Sequence, residues 1–362
     1  TLFPYTTLFR SADNTWAALK GRKALEISWI QKTPAESTTL HDAWMTDLLT
    51  QKPAKSFRAD GDVDSAFKQA DKVLEASFSC PFLPHNAMEP MNFFADVKEH
   101  SAELIGPTQT PQRSQSKVAE ILGIPVDAVT VQMTRMGGGF GRRLSSDFAE
   151  EAAKISRLAK SPIKVQWTRE DDMAGGVYRP ACKYIYKAAI NKNGELSGFH
   201  VRGAGLNVGN PTRENNFPAG AVQHLLVEGH NKESNVTTGP WRAPVHNFVA
   251  FAEQCFLDEV ATELKKDPID FRLDLLTKAA SNPVGKVDYD VERFKKTIQL
   301  VRNISGWDTK KEGVFKGFSA YFSFSSYVAM IAEVALVDQK PIIKKVYCAA
   351  DCGIVVNKSG AE

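Results

Sequence analysis

Seven consecutive residues, Gly137-Gly138-Gly139-Phe140-Gly141-Arg142-Arg143, constrain this chain more than any others. Four glycines around one aromatic describe a loop in which bare backbone approaches something bulky. Glycine gives up more conformational freedom on folding than any other residue and packs no side chain, so such a cluster needs a steric reason. Apolar spacing places a strand at 129–133 before the loop and a helix at 146–159 after it. Two arginines at a strand-to-helix turn add guanidinium forks to backbone amides near a helix N-terminus, which suits an anionic ligand. Local composition is equally compatible with a tight connection. The nucleotide fingerprints do not fit: a G-x-G-x-x-G frame from Gly137 meets Arg142 where the last glycine belongs, and no Lys-Ser/Thr pair follows.

The 362 residues suffice for two or three domains with substantial cores. A content of 43% apolar and 24% charged residues is that of a globular protein, and a net charge of +3 points to neither nucleic acid nor membrane as partner. No run approaches the ~20 apolar residues of a membrane-spanning helix. The best stretch, 327–337, contains Glu333. Five cysteines (Cys80, Cys182, Cys255, Cys348, Cys352) form no CxxC pair and read as buried thiols. The compartment stays open between periplasm and cytoplasm. The chain does not begin with Met, and residues 1–11 resemble the translation of a sequencing adapter, as in a metagenomic contig. They are expected to be an artefact, and both ends of the chain are expected to be cut.

Along the chain, helices are expected at 40–50, after an Asp62 or Asp64 cap, at 110–122 with Pro111 in its first turn and Gly123 as its stop, and at 248–264, 267–276 and 290–303. Strands are expected at 74–79, 92–97, 102–105, 129–133 and 163–168, and at 315–322, 328–337 and 342–349. Two more, 183–190 and 196–206, flank Asn193-Gly194, a hairpin signal. Helices and strands mix throughout, which makes the fold class mixed, α+β.

The glycine-arginine loop, His85-Asn86-Ala87-Met88-Glu89-Pro90, Gly239-Pro240-Trp241-Arg242-Ala243-Pro244 and Asp351-Cys352-Gly353-Ile354-Val355-Val356-Asn357 follow one another in an order that resembles the molybdenum-binding large subunits of the xanthine oxidase family. The isoquinoline 1-oxidoreductase β subunit and aldehyde-oxidising subunits are the nearest in kind. The resemblance runs over 12–362. It implies mixed-sheet molybdenum-cofactor-binding domains truncated at both ends: a connecting segment at 12–60 after a missing N-terminal domain, a first cofactor-binding domain at 61–285, and the start of a second at 286–362.

The resemblance also implies residue roles. Gln109 would hydrogen-bond an oxygen ligand of molybdenum, and Arg242 would stand beside the metal; these two are the catalytic candidates. Gly138, Gly139, Phe140 and Gly141 would lie against the pterin, with Arg142 and Arg143 toward phosphates or an acidic partner. Leu144, Trp241, Pro244, Phe324 and Ser325 would shape the substrate pocket, and the glutamate of Met88-Glu89-Pro90 would be ion-paired. No protein side chain would ligate molybdenum, which the pterin dithiolene holds. Leu144 stands where purine-oxidising members have a glutamate, Val245 where glycine is usual and Lys358 where proline is usual.

The implied cofactors are molybdenum with molybdopterin in its cytosine dinucleotide form, and [2Fe-2S] clusters on a small partner subunit, since this chain has no cysteine cluster to hold them. The implied reaction is oxidative hydroxylation of an N-heterocycle or an aldehyde, with water as oxygen source. The general-base glutamate would lie beyond residue 362, so the chain alone is expected to be inactive. A competing reading is a non-catalytic phosphate- or nucleic-acid-binding protein that uses the glycine-arginine loop. Such segments usually repeat within disordered tracts, whereas this one is single and set between a strand and a helix.

Overall fold

The computed structural model describes residues 11–28, 30, 31, 33–53 and 55–362. Residues 1–10, which hold all but one of the adapter-like positions, lie outside the described residues. The chain divides into two compact units, each assembled from separated stretches. One comprises the described residues up to Ser37 with Phe82–Pro180 and Ser234–Pro244; the other comprises the described residues of Thr38–Pro81, with Ala181–Glu233 and Val245–Glu362.

The first unit is built on a four-stranded sheet in the order Val129–Met133, Ala102–Gly106, Asn92–Val97, Ile163–Gln166. The first two strands pair in parallel and the other neighbours are antiparallel. Parallel strands need a crossover, and helix Pro111–Leu122 supplies it. Proline at its first position lacks only an amide that would have no helical partner, and Gly123 ends it at φ 68°. Burial alternates along Asn92–Val97, so Phe93, Ala95 and Val97 face inward. Over them lie Val118, Ala119 and Leu122, and Phe148, Ala149, Ala152 and Ala153 of helix Asp147–Ala159. Phe93 and Phe148 meet edge to face at 5.5 Å.

This topology positions two turns. Gly106 and Met133 are register partners at the carboxyl ends of the parallel pair, so the chain leaves both strands side by side. One exit leads to Gln109, the other to the glycine loop. Open sheets of this kind bind ligands beyond the carboxyl ends of their parallel strands.

The second unit has a mixed five-stranded sheet in the order Lys55–Asp60, His224–Lys232, Leu196–Leu206, Cys182–Ile190, Lys72–Cys80. It also has an antiparallel three-stranded sheet, Phe315–Ser323, Ser326–Val337, Lys340–Asp351. Helices His246–Glu263, Pro268–Ser281 and Val291–Ser305 contribute Phe256, Leu257, Leu276, Ile298 and Val301 to one core. The expected hairpin forms around Asn193-Gly194, with Gly194 at φ 71°. The apolar run containing Glu333 is a strand, and that carboxylate is buried against Lys311. Among the described residues no helix is long and apolar enough to cross a membrane.

The fold is α+β with mixed sheets, as expected. Strands Lys55–Asp60 and His224–Lys232 and helices Thr15–Lys23 and Arg169–Ala174 have no counterpart in the sequence reading. The reading of the thiols is corrected: Cys80 and Cys182 are buried, Cys255 is half-buried, and Cys348 and Cys352 are exposed. Cys348 lies on Lys340–Asp351, an edge strand exposed over most of its length.

Candidate functional site

The glycines of 137–141 have steric causes that can be named. A Cβ on Gly137 would lie 2.6 Å from Cβ of Glu89, and one on Gly139 would lie 2.6 Å from Oε1 of Gln109. One on Gly141 would lie 2.0 Å from the carbonyl oxygen of Pro240. Gly138 and Gly141 also take φ of 97° and 101°, well outside the narrow left-handed region open to other residues. Phe140, at φ 55°, stays within that region and leaves its ring substantially exposed. The bulky neighbours are therefore other parts of the same unit, packed against the loop from below.

Gln109 sits against this backbone. Its Oε1 accepts from the amide of Gly141 at 3.1 Å, and its own amide donates to the carbonyl of Arg143 at 2.9 Å. A backbone N–H can only donate, so this contact fixes which end of the side-chain amide is oxygen. The Nε2 group is left as a donor on an exposed residue.

The two arginines differ from expectation. Arg142 is 2% exposed, donates to both carboxylate oxygens of Asp147 at 2.8 and 2.7 Å, and lies over the rings of Phe148 and Trp167. Arg143 is fully buried and donates to the carbonyls of Gly138, Pro107 and Glu89 and to the Glu89 carboxylate. Neither guanidinium is presented to an anionic ligand; both are committed within the unit. Burial opposes the charge on Glu89, yet the hydrogen bonds from Gly137 and Asn92 and the charge of Arg143 hold its carboxyl below the usual range. Burial pulls Arg143 down, countered by Glu89.

The segment Ser234–Pro244 reaches the loop from about a hundred residues farther along the sequence. The amide of Arg242 donates to the carbonyl of Phe140 at 2.8 Å, and its guanidinium lies over the rings of Phe140 and Trp241 at 5.6 and 5.7 Å. His85 anchors the segment, with Nδ1 and Nε2 each 2.9 Å from a carbonyl, of Val177 and Pro240 respectively. Burial pushes the pKa of this imidazole down, although only a doubly protonated ring donates to both carbonyls. The structure thus brings Gln109, Gly138, Gly139, Phe140, Gly141 and Arg242 into one strip of the first unit, with Trp241 half-buried beside Arg242.

Leu144 closes a short 3-10 turn, Arg142–Leu144, and its carbonyl accepts from Thr110. Pro244 is exposed. Phe324 and Ser325 belong to the second unit, where they form the tip between strands Phe315–Ser323 and Ser326–Val337. There the ring of Phe324 meets His246 at 5.3 Å. Val245 precedes helix His246–Glu263 at φ 67°, a conformation that glycine adopts with less strain than valine. Lys358 opens helix Lys358–Ala361, a first-turn position that suits proline.

Two positioning contacts escaped the sequence reading: the hold of Arg143 on Gly138 and Pro107, and the bridge made by His85. Pro107 lies 36 positions from Arg143, and Val177 and Pro240 lie 92 and 155 positions from His85, and no local pattern announces these partners. A cavity of about 510 Å³ in the same unit lies elsewhere, lined by Asn14, Arg22, Glu151, Trp167, Thr168 and Asp171 among others, with no residue of the glycine loop. Among the described residues no group of three or more His, Cys, Asp or Glu could hold a metal ion.

The family model for the molybdopterin cofactor-binding domain matches residues 48–275. Isoquinoline 1-oxidoreductase subunit beta of Brevundimonas diminuta is 28% identical over 338 residues, covering 86% of this chain and 40% of that protein. The membrane-bound aldehyde dehydrogenase (pyrroloquinoline-quinone) of Gluconacetobacter polyoxogenes is 28% identical over 302 residues, covering 75% of this chain and 38% of that protein. The crystal structure of quinoline 2-oxidoreductase from Pseudomonas putida 86 matches at a TM-score of 0.65 and 16% identity, covering 90% of this chain and 44% of that one. At that identity the likeness is one of fold. The chain spans about two fifths of the length of these curated relatives.

Proposed function

Because this chain belongs to the molybdopterin cofactor-binding domain family, among the molybdenum-binding subunits of the xanthine oxidase family, we propose that it is part of a molybdenum-dependent hydroxylase. The substrate class is an aldehyde or an electron-poor ring carbon of an N-heterocycle, with water as oxygen source. Electrons leave to a small iron–sulfur subunit. The cofactor is molybdopterin with molybdenum in the cytosine dinucleotide form. In this reading residues 61–285 form a first cofactor-binding domain and 286–362 begin a second.

One observation carries the reading: the Gln109 amide is held by Gly141 N–H so that its oxygen faces the loop and its Nε2 faces out. The strip fits a large, oxygen-rich group. It offers an amide donor, an exposed aromatic face at Phe140 and the guanidinium of Arg242, over backbone that carries no side chains at 138, 139 and 141. When bound, the molybdenum–pterin group supplies two-electron redox and oxygen-transfer chemistry; the protein supplies orientation and electrostatics. Gln109 orients an oxygen atom of the bound group through Nε2. Arg242, held over the Phe140 ring, would stabilise negative charge that develops on the substrate. Arg142 and Arg143 hold the strip in shape rather than touch the ligand. Leu144, Trp241 and Pro244 remain the proposed lining for the substrate, and a leucine at 144 disfavours a purine.

The test is to purify the full-length protein with its partner, measure molybdenum by mass spectrometry and oxidise any pterin to its fluorescent form. Molybdenum and pterin near one per chain, with dye reduction by benzaldehyde or quinoline, are expected. A metal-free protein with no pterin overturns the proposal.

A further inference from the structure

The residue that connects the most parts of this site touches no ligand. Arg143 is fully buried and its guanidinium reaches three separate segments. Nε donates to Gly138 O at 2.8 Å, Nη1 to Pro107 O at 3.3 Å, and Nη2 to Glu89 O at 2.8 Å and Glu89 Oε2 at 3.1 Å. Its own carbonyl accepts from the amide of Gln109. Glu89 returns the hold: Oε2 accepts from Gly137 N–H at 2.8 Å, its amide donates to Gly137 O at 3.1 Å, and Oε1 accepts from Asn92 at 2.8 Å. The entry to the loop, the turn before Gln109 and the Glu89 segment therefore meet at one ion pair.

We propose that the Glu89–Arg143 pair is a positioning device, which sets the distance between the Gln109 amide and the glycine-loop backbone and thereby decides whether the cofactor is retained. The inference rests on the reading given under Proposed function. Neither residue contacts the ligand; both act through Gln109 and Gly138. A planar fork with fixed donor directions suits the task, because it fixes angles as well as separations.

Two variants of the full-length, partner-bound protein separate positioning from stability. Glu89→Asp keeps a charge opposite Arg143 but withdraws the carboxylate by one methylene from Gly137 N–H. Arg143→Lys keeps a positive charge opposite Glu89 but loses the planar fork that holds the carbonyls of Gly138, Pro107 and Glu89 at fixed angles. Molybdenum per chain, pterin fluorescence and melting temperature are measured for each. The expected result is a loss of bound molybdenum of about tenfold or more in both variants, at a melting temperature within a few degrees of the parent. Full molybdenum in either folded variant overturns the proposal, as does a loss that tracks melting temperature and disappears under conditions that restore it. If the parent itself holds no molybdenum, the functional reading fails first, and that outcome is distinct from the others.

Discussion

The glycine loop of the first unit and the hairpin tips of the second both place backbone at positive φ, and they do so with different residues. The loop uses Gly138 and Gly141 at 97° and 101°. The tips use Phe324 and Ser325 at 49° and 57°, and Asp338 and Gln339 at 50° and 61°. Angles near 50–60° lie in the small left-handed well that ordinary residues enter at modest cost, whereas angles near 100° leave that well. Crowding widens the difference, since the missing Cβ atoms of 137, 139 and 141 would fall within 2.6 Å of other atoms. A glycine demanded by crowding marks a place where three segments converge. An unfavourable φ alone marks only a tight turn.

Gly141→Ala is the hardest test of this contrast. Its Cβ would press on a backbone carbonyl held by His85, so neither side can yield. A loss of about 3 kcal/mol or more is expected in chemical denaturation, from combined overpacking and strain. A loss under about 1 kcal/mol would place this loop in the same class as the tips.

Acid should act on the second region through His246. Burial, then the charge of Arg213, lowers its pKa to about 4. Its Nδ1 faces the Tyr321 hydroxyl and the Asn216 amide. The unfolded chain takes up this proton as pH falls through 6.5, while the folded protein resists until about 4. Stability should therefore drop between those values, by up to about 3 kcal/mol, and level off below. Comparing denaturation curves of the parent and His246→Gln across this range checks the sign; equal slopes would remove His246 as the cause.

Gly139→Ala should cost stability only about 1 kcal/mol, because its Cβ meets a flexible side chain rather than backbone. The same change pushes Gln109 away from Gly141 N–H, so bound molybdenum in the full-length protein should fall about tenfold. A stable variant with full metal would show that Gln109 need not be fixed. The smallest effect is expected at a tip: Ser325→Gly should raise stability by about 0.5 kcal/mol or less, since relief of φ is offset by the entropy of glycine. A gain as large as the loss at Gly141 would erase the distinction between the regions.

Much of the fold was legible because its signals are local. Pro111 and Gly123 bracket a helix, Asp62 caps another, and Asn193-Gly194 sits in a hairpin. The tip at Phe324-Ser325 lacks the glycine or asparagine that announces such a turn, and strand His224–Lys232 hides behind a polar end. At the site, spacing and family pattern pointed to the glycine loop, Gln109 and Arg242. They pointed Arg142 and Arg143 toward phosphates or an acidic partner, and did not foresee the burial of both guanidinium groups against Asp147 and Glu89. Pairings between distant positions depend on the path of the chain, which no local pattern encodes.

The stretch Ser234–Pro244 completes a unit most of which precedes it by some fifty residues or more. During synthesis the carbonyl of Pro240 and the amide of Arg242 reach Gly141 and Phe140 only after about a hundred further residues have left the ribosome. Until then Gly141 and Phe140 lack these partners, so the strip takes its final shape only once translation has passed that point.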